Sequence, residues 1–228
     1  HVKSPLVRVD PENRCAALLV YNKNIIIIPF RKDVVMEDAE SSLFMSGMPL
    51  TNNYSMANKK SPVLPSYKLD LPNEQYGVNI INIVDIQFLH NYYEPTLLIL
   101  YEPIRTWAAR IAVRQDTVSM ITLSLDVHQR MHPHIWSLNN LPFNSFAAIP
   151  VPKPIGGVFI LATNAIIHLN QGLPPYGISL NGFNDSNTSF PLKTYDSLTI
   201  SLDCCRACFI SNNKIVLSLN NGDLYVLN

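Results

Sequence analysis

The sequence predicts an all-β chain, and three observations carry that prediction. Its apolar segments are short and rich in Val, Ile, Leu, Tyr and Phe; Asn, Gly, Pro or Asp bound them; and helical spacing is nowhere sustained over the length of an ordinary helix. Candidate strands run 15–21, 25–30, 66–71, 80–89, 96–101, 108–115, 118–125, 147–151, 158–163, 165–170, 198–202, 206–211, 214–219 and 223–227. With no helices to cover a parallel sheet, these strands pair as antiparallel hairpins.

The strands fall into a repeated unit: a short strand, a connection, a strongly apolar strand, a turn, and a strand ending in a polar residue. The unit recurs through 84–88, 96–101 and 110–115; through 147–150, 158–161 and 166–171; through 206–210, 215–219 and 223–228; and earlier through 15–21 and 25–30. Successive units start roughly 60 residues apart, longer than the ~40–50 residues of familiar propeller repeats, so loops are inserted within or between them. The architecture this implies is a β-propeller of four-stranded antiparallel blades, WD40-like but without WD motifs. A ring usually needs more blades than four to close, and the last unit stops before an outermost strand. The expectation is therefore a partial propeller domain over 1–228, an incomplete ring of about four blades open at both ends. The stretch 36–62, biased to Ser, Asn, Met and Lys and without a period, reads as a mobile surface insertion.

Composition narrows the function classes. With 47% hydrophobic and 15% charged residues the chain has ample material for a core. Lys plus Arg equal Asp plus Glu at 17 each, so no overall field draws it to nucleic acid or anionic membrane. Its apolar runs are far shorter than the ~20 residues of a membrane span, so a soluble chain with no membrane contact is expected. The four cysteines, Cys15, Cys204, Cys205 and Cys208, are too few and too clustered for a secreted disulfide framework, which favours a reducing, intracellular setting. The absence of an initiator methionine suggests a fragment of a longer protein.

The constellations that carry chemistry have simpler readings. His128, His132 and His134 are close enough in sequence to suggest zinc, but Pro133 interrupts them and no HExxH pattern accompanies them. Cys204, Cys205 and Cys208 read as buried thiols in a strand, since neighbours on a strand face opposite sides. No GxSxG, P-loop or GxGxxG appears, and Gly156-Gly157 precedes a strand rather than opening a helix. Asp85, Glu94, Glu102 and Asp116 lie near strand ends without a spacing that singles out a catalytic pair. No catalytic residue, metal site, cofactor or small-molecule substrate is expected. Arg105, Arg110 and Arg114, interleaved with Trp107, suit stacking and phosphate contacts with RNA; the competing reading is an outer strand with solvated arginines and a half-buried tryptophan.

A set of motifs adds to this reading. They include Arg14-Cys15-Ala16, Pro29-Phe30-Arg31, Leu64-Pro65-Ser66-Tyr67, the block from Gln87 through Tyr92-Tyr93-Glu94-Pro95 to Pro103, and Ala112-Val113-Arg114-Gln115-Asp116-Thr117. Further along come Ile135-Trp136-Ser137-Leu138, Val151-Pro152-Lys153-Pro154-Ile155-Gly156-Gly157-Val158 and Pro174-Pro175-Tyr176-Gly177. Through them most of the chain resembles the N-terminal propeller region of the family formed by the largest subunit (subunit 1) of the cleavage and polyadenylation specificity factor. Two related triple-propeller scaffolds, of the damaged-DNA-binding complex and of splicing factor three b, share only the general Pro-x-Pro-x-Gly-Gly hairpin entry.

The resemblance implies a non-catalytic nuclear scaffold for pre-mRNA 3′-end processing. Its partners would be a WD-repeat subunit and a zinc-finger subunit, which make the main contacts to the AAUAAA signal, with pre-mRNA reached directly or through them. On that reading Tyr92, Tyr93, Trp107 and Trp136 are the candidate partner anchors, each also accounted for as core. The alternatives are direct RNA binding through Arg105, Arg110 and Arg114, or a related scaffold of the damaged-DNA-binding or splicing factor three b type.

Overall fold

The computed structural model describes residues 4–31, 61–71, 80–183, 188–195 and 197–228; most of the expected insertion at 36–62 lies outside the described residues. The strands form four antiparallel sheets, each a meander in chain order. The first holds β1 (Leu6–Val9), β2 (Cys15–Val20), β3 (Asn24–Pro29) and β4 (Tyr67–Leu69). The second holds β5 (Ile83–Phe88), β6 (Thr96–Tyr101), β7 (Val118–Ser124) and β8 (His134–Leu141). The third holds β9 (Ser145–Pro150), β10 (Val158–Ala162), β11 (Ala165–Leu169) and β12 (Tyr176–Ser179). The fourth has three strands, β13 (Arg206–Ser211), β14 (Lys214–Ser218) and β15 (Leu224–Leu227), and so lacks an outermost strand as expected.

The sheets pack face to face, and the period of two along each strand decides which neighbour a side chain meets. In β6, Leu97, Ile99 and Tyr101 join the first sheet's Leu19, Ile25 and Ile27 in one core. From the opposite face of the same strand, Leu98 and Leu100 join Val158, Ile160 and Ile167 of the third sheet. Every residue of β6 is therefore buried. The third sheet repeats the device: Leu161 and Ile166 pack on Ile215 and Leu217 of the fourth. Each fully buried Leu or Ile contributes about 1.5–3 kcal/mol, so the three interlayer cores dominate stability.

The first strands of the four sheets converge on one axis. Leu6 and Arg8 from β1, Asp85 from β5, Ala147 from β9 and Arg206 from β13 line a cavity of about 460 Å³ there. One carboxylate joins three of these strands. Asp85 Oδ1 accepts from the Arg8 guanidinium at 3.3 Å and from Ile86 N–H at 2.9 Å, while Oδ2 accepts from Ala148 N–H of β9 at 3.0 Å. Burial raises the Asp85 pKa, and the Ala148 N–H and Arg8 pull against that rise. Sheets radiating from a shared axis, with their first strands innermost, are blades of a propeller, and the array is an open one.

Two expected strands are corrected. Residues 108–115 form a short 3-10 turn (Ala108–Arg110) and further turns, and the third strand of the second blade is β7. Local bonds win there: Arg110 N–H donates to Trp107 C=O at 2.7 Å, and Arg114 N–H donates to Arg110 C=O at 2.9 Å. Residues 198–202 are irregular, with Ile200 N–H bonded to Leu180 C=O and Leu202 N–H to Thr163 C=O, although Leu198, Ile200 and Leu202 still reach the third core. The strands β1, β8 and β12 were not expected.

Gly157 shows how tightly the β9–β10 hairpin is built. Its φ is +81°, and a Cβ placed there would lie 2.3 Å from the Leu169 carbonyl oxygen of the neighbouring strand. Gly157→Ala is expected to destabilise the protein by at least ~1–3 kcal/mol in denaturant unfolding, the usual cost of a strained backbone before the clash is counted. Gly182→Ala, at a position with open space, should be close to neutral.

Cys15, packed in the first core, supplies a pH test. Burial pushes its thiol from 9.0 up to about 12. Between those values the unfolded chain has released the proton and the folded chain still holds it, so stability falls as pH rises. Unfolding curves measured across this range should show that loss, and Cys15→Ala should reduce it, the remainder coming from other groups that burial raises, such as Tyr67, pushed up to about 12.

Candidate interaction site

The second blade carries a long connection, 102–117, between β6 and β7. Glu102 orders it from both ends, its Oε1 accepting from Thr106 N–H at 3.2 Å and from Thr117 Oγ1 at 2.7 Å. The base is held to the preceding strand entry, with Glu102 N–H donating to Asn82 C=O at 3.2 Å and Asn82 Nδ2 to Glu102 C=O at 3.1 Å. The result is a fixed turn whose side chains point outward. Ile104 is 54% exposed, Trp107 56% and Val113 89%, and Arg105, Arg110 and Arg114 are all exposed. The Arg110 guanidinium sits 4.7 Å from the centre of the Trp107 ring. The ion pairs among the described residues belong to Arg8 and Arg14, so the three arginines of the connection keep their charge for solvent or a partner.

Beside the connection lies a cavity of about 420 Å³, bounded by Tyr101, Pro103, Ile104, Arg114, Asn139 and Asn140. Asp116 also borders it but is occupied, accepting from the Thr188 hydroxyl, from Ser189 N–H at 3.0 Å and from Ser189 Oγ at 2.5 Å. Those bonds tether the strand-free segment at 188–190 against the second blade.

The four candidate anchors separate into two kinds. Tyr92 and Trp136 pack against the core between the second and third blades. Trp136 Nε1 donates to Tyr92 Oη at 3.2 Å, and Tyr92 Oη donates to Gln171 Oε1 at 3.3 Å, a chain that closes the outer seam between these blades. Tyr93 is 94% exposed, with its backbone carbonyl held by the Arg14 guanidinium. Arg14 is itself anchored on buried Asp10, with Nε to Oδ2 at 2.7 Å and Nη2 to Oδ1 at 3.0 Å. Trp107 projects from the connection and is 56% exposed.

The remaining candidates are dispersed. His132 stacks on Tyr67 with ring centres 5.6 Å apart, and burial lowers its pKa. His128 belongs to a turn capped by Asp126, and His134 starts β8 on the surface. The expectation of buried thiols holds for Cys205 but not for Cys204 or Cys208, which are exposed. Cys204 occupies a left-handed turn position at φ +56°, and Cys208 lies on the outward face of the last blade, paired in register with Val216. Among the described residues, no three His, Cys, Asp or Glu side chains gather as a metal ion would require. Among the described residues, no helix is long and apolar enough to cross a membrane. Ile104, Val113, Asn139 and Asn140 were not singled out from sequence as site residues; Val113 was expected only as part of a strand over 108–115.

Blades that radiate from a shared axis, each an antiparallel meander with its first strand innermost, define a β-propeller. The chain belongs to the family described as RSE1/DDB1/CPSF1 first beta-propeller, matching it over residues 4–228. It is 48% identical over 223 residues to "Cleavage and polyadenylation specificity factor subunit 1" of Drosophila melanogaster, covering 98% of this chain and 15% of that protein. The probable subunit 1 of Caenorhabditis elegans is 37% identical over 227 residues, covering 100% of this chain and 14% of that protein. "Protein cft1" of Schizosaccharomyces pombe is 30% identical over 226 residues, covering 96% of this chain and 15% of that protein. The chain thus spans about 15% of the length of the relatives it matches.

Tyr92→Phe should cost about 1 kcal/mol, because it leaves the Trp136 indole N–H and the Gln171 carbonyl without their shared partner. Tyr93→Ala should change stability by no more than about 0.5 kcal/mol, as at other surface positions. Parallel denaturant titrations check both.

Proposed function

We propose that the chain is part of a non-catalytic scaffold subunit of a pre-mRNA 3′-end cleavage and polyadenylation complex. The observation that carries this reading is the similarity to cleavage and polyadenylation specificity factor subunit 1 along nearly the whole chain. In this reading the protein works in the nucleus, holds a WD-repeat subunit and a zinc-finger subunit, and supports their recognition of AAUAAA. Three of the four candidate carboxylates favour a structural role: Asp85 clasps Arg8, Glu102 orders its connection and Asp116 tethers 188–190, while Glu94 is exposed.

A second reading, direct RNA binding by the same subunit, is supported by Arg105, Arg110 and Arg114 beside exposed Trp107. It rests on local charge alone in a chain of zero net charge.

Affinity purification of the tagged full-length protein from nuclear extract, followed by mass spectrometry, tests the scaffold reading. The expected result is recovery of the WD-repeat, zinc-finger and endonuclease subunits of the polyadenylation machinery. Recovery of splicing or DNA-damage components in their place would overturn it.

A further inference from the structure

We infer that the 102–117 connection and the cavity beside it form a docking site for an acidic protein segment that carries an apolar side chain. The inference rests on the scaffold reading and says where one partner is held and by what chemistry.

Four observations support it. The connection exposes Ile104, Trp107 and Val113 within one short stretch, and it is such clustering of exposed apolar groups, rather than single ones, that marks interaction surfaces. Arg105, Arg110 and Arg114 surround them without an ion-pair partner among the described residues, which calls for negative charge on the occupant. The cavity of about 420 Å³ mixes apolar groups, Tyr101, Pro103 and Ile104, with polar ones. Of the two charged residues that border it, Asp116 is held by Thr188 and Ser189, which leaves Arg114 to meet a carboxylate while an apolar group rests on Ile104 and Pro103. Glu102 holds the connection in place before any partner arrives, which lowers the ordering cost of binding. Tryptophan and arginine are also the residues most often found to dominate binding energy at protein interfaces.

An acidic protein segment fits these features better than single-stranded RNA. RNA binding without duplex readout needs several aromatic faces on which successive bases stack. The connection has one exposed aromatic ring, Trp107, and Arg110 already lies over it. The aliphatic Ile104 and Val113 give bases nothing to stack on, but they suit Leu, Ile or Phe.

The test uses fluorescence anisotropy with the full-length protein and three labelled probes: a peptide of alternating glutamate and leucine, a matched peptide of glutamate and serine, and a uridine oligonucleotide. The glutamate–leucine peptide should bind tightest, weaken as salt rises, and lose about tenfold or more in affinity with Arg105→Glu, Arg110→Glu and Arg114→Glu combined. The single Arg105→Glu variant should show a smaller loss in the same direction, and Ile104→Ser with Val113→Ser should erase the preference for leucine over serine.

Tighter binding of the oligonucleotide than of the peptides, no binding of any probe, or peptide affinity unchanged in the arginine variants would each overturn the proposal. Recovery of processing subunits by the same preparations separates the two readings. If those subunits co-purify while the peptide arms fail, only the docking site falls. If the peptide arms succeed while no processing subunit is recovered, it is the scaffold assignment that fails.

Discussion

The constraint on which this structure depends is that each blade has two apolar faces and therefore needs two neighbours. Strand β6 makes the point most directly, with alternate side chains serving separate cores and none reaching water. A sheet of this kind has no stable life as a single layer; it exists because flanking sheets cover it. The same constraint explains the ends of the array. On the first blade, Val7 and Val9 lie on the face turned away from the second, and on the fourth, Val226 and Cys208 lie on the face turned away from the third; all four are exposed.

Apolar packing sets the spacing of the blades but is non-directional, and polar contacts fix their alignment. Asp85 is the main example, receiving bonds from its own blade and from both neighbours at the axis. At the outer rim, the Trp136–Tyr92–Gln171 chain joins the second blade to the third. Between these fixed points the connection 102–117 is ordered by Glu102 rather than by packing, which leaves its apolar and cationic side chains outside. A rigid support with one ordered rim element is the arrangement on which the proposed scaffold role would rest.

Much of this was legible in the sequence, for physical reasons that differ by residue. The buried strands at 96–101, 158–162 and 165–169 are short, β-branched or leucine-rich runs between turn residues, and nothing else accommodates them. Strand β8 escaped notice because its outer position needs no apolar alternation, and its sequence, His134 to Leu141, is mostly polar or half-exposed. The 108–115 segment misled because Ala, Arg, Ile and Val in alternation suit a strand as well as a turn. What decided it were local backbone bonds, from Arg110 N–H to Trp107 C=O and from Arg114 N–H to Arg110 C=O, which the alternation of residue types does not reveal. Trp136 and Tyr92 stood out as aromatics, but only their shared hydrogen bonds show how they join two blades, and the exposure of Val113 had no sequence signal at all.

Hydrogen exchange followed by mass spectrometry on the full-length protein tests the two-faced packing most directly. Amides of Thr96–Tyr101 should exchange only through global unfolding, since both faces of that strand are buried, while the solvent-facing amides of 102–117, which lie outside the strand ladders, should exchange much sooner. Exchange of β6 as fast as that of the neighbouring connection would contradict the account.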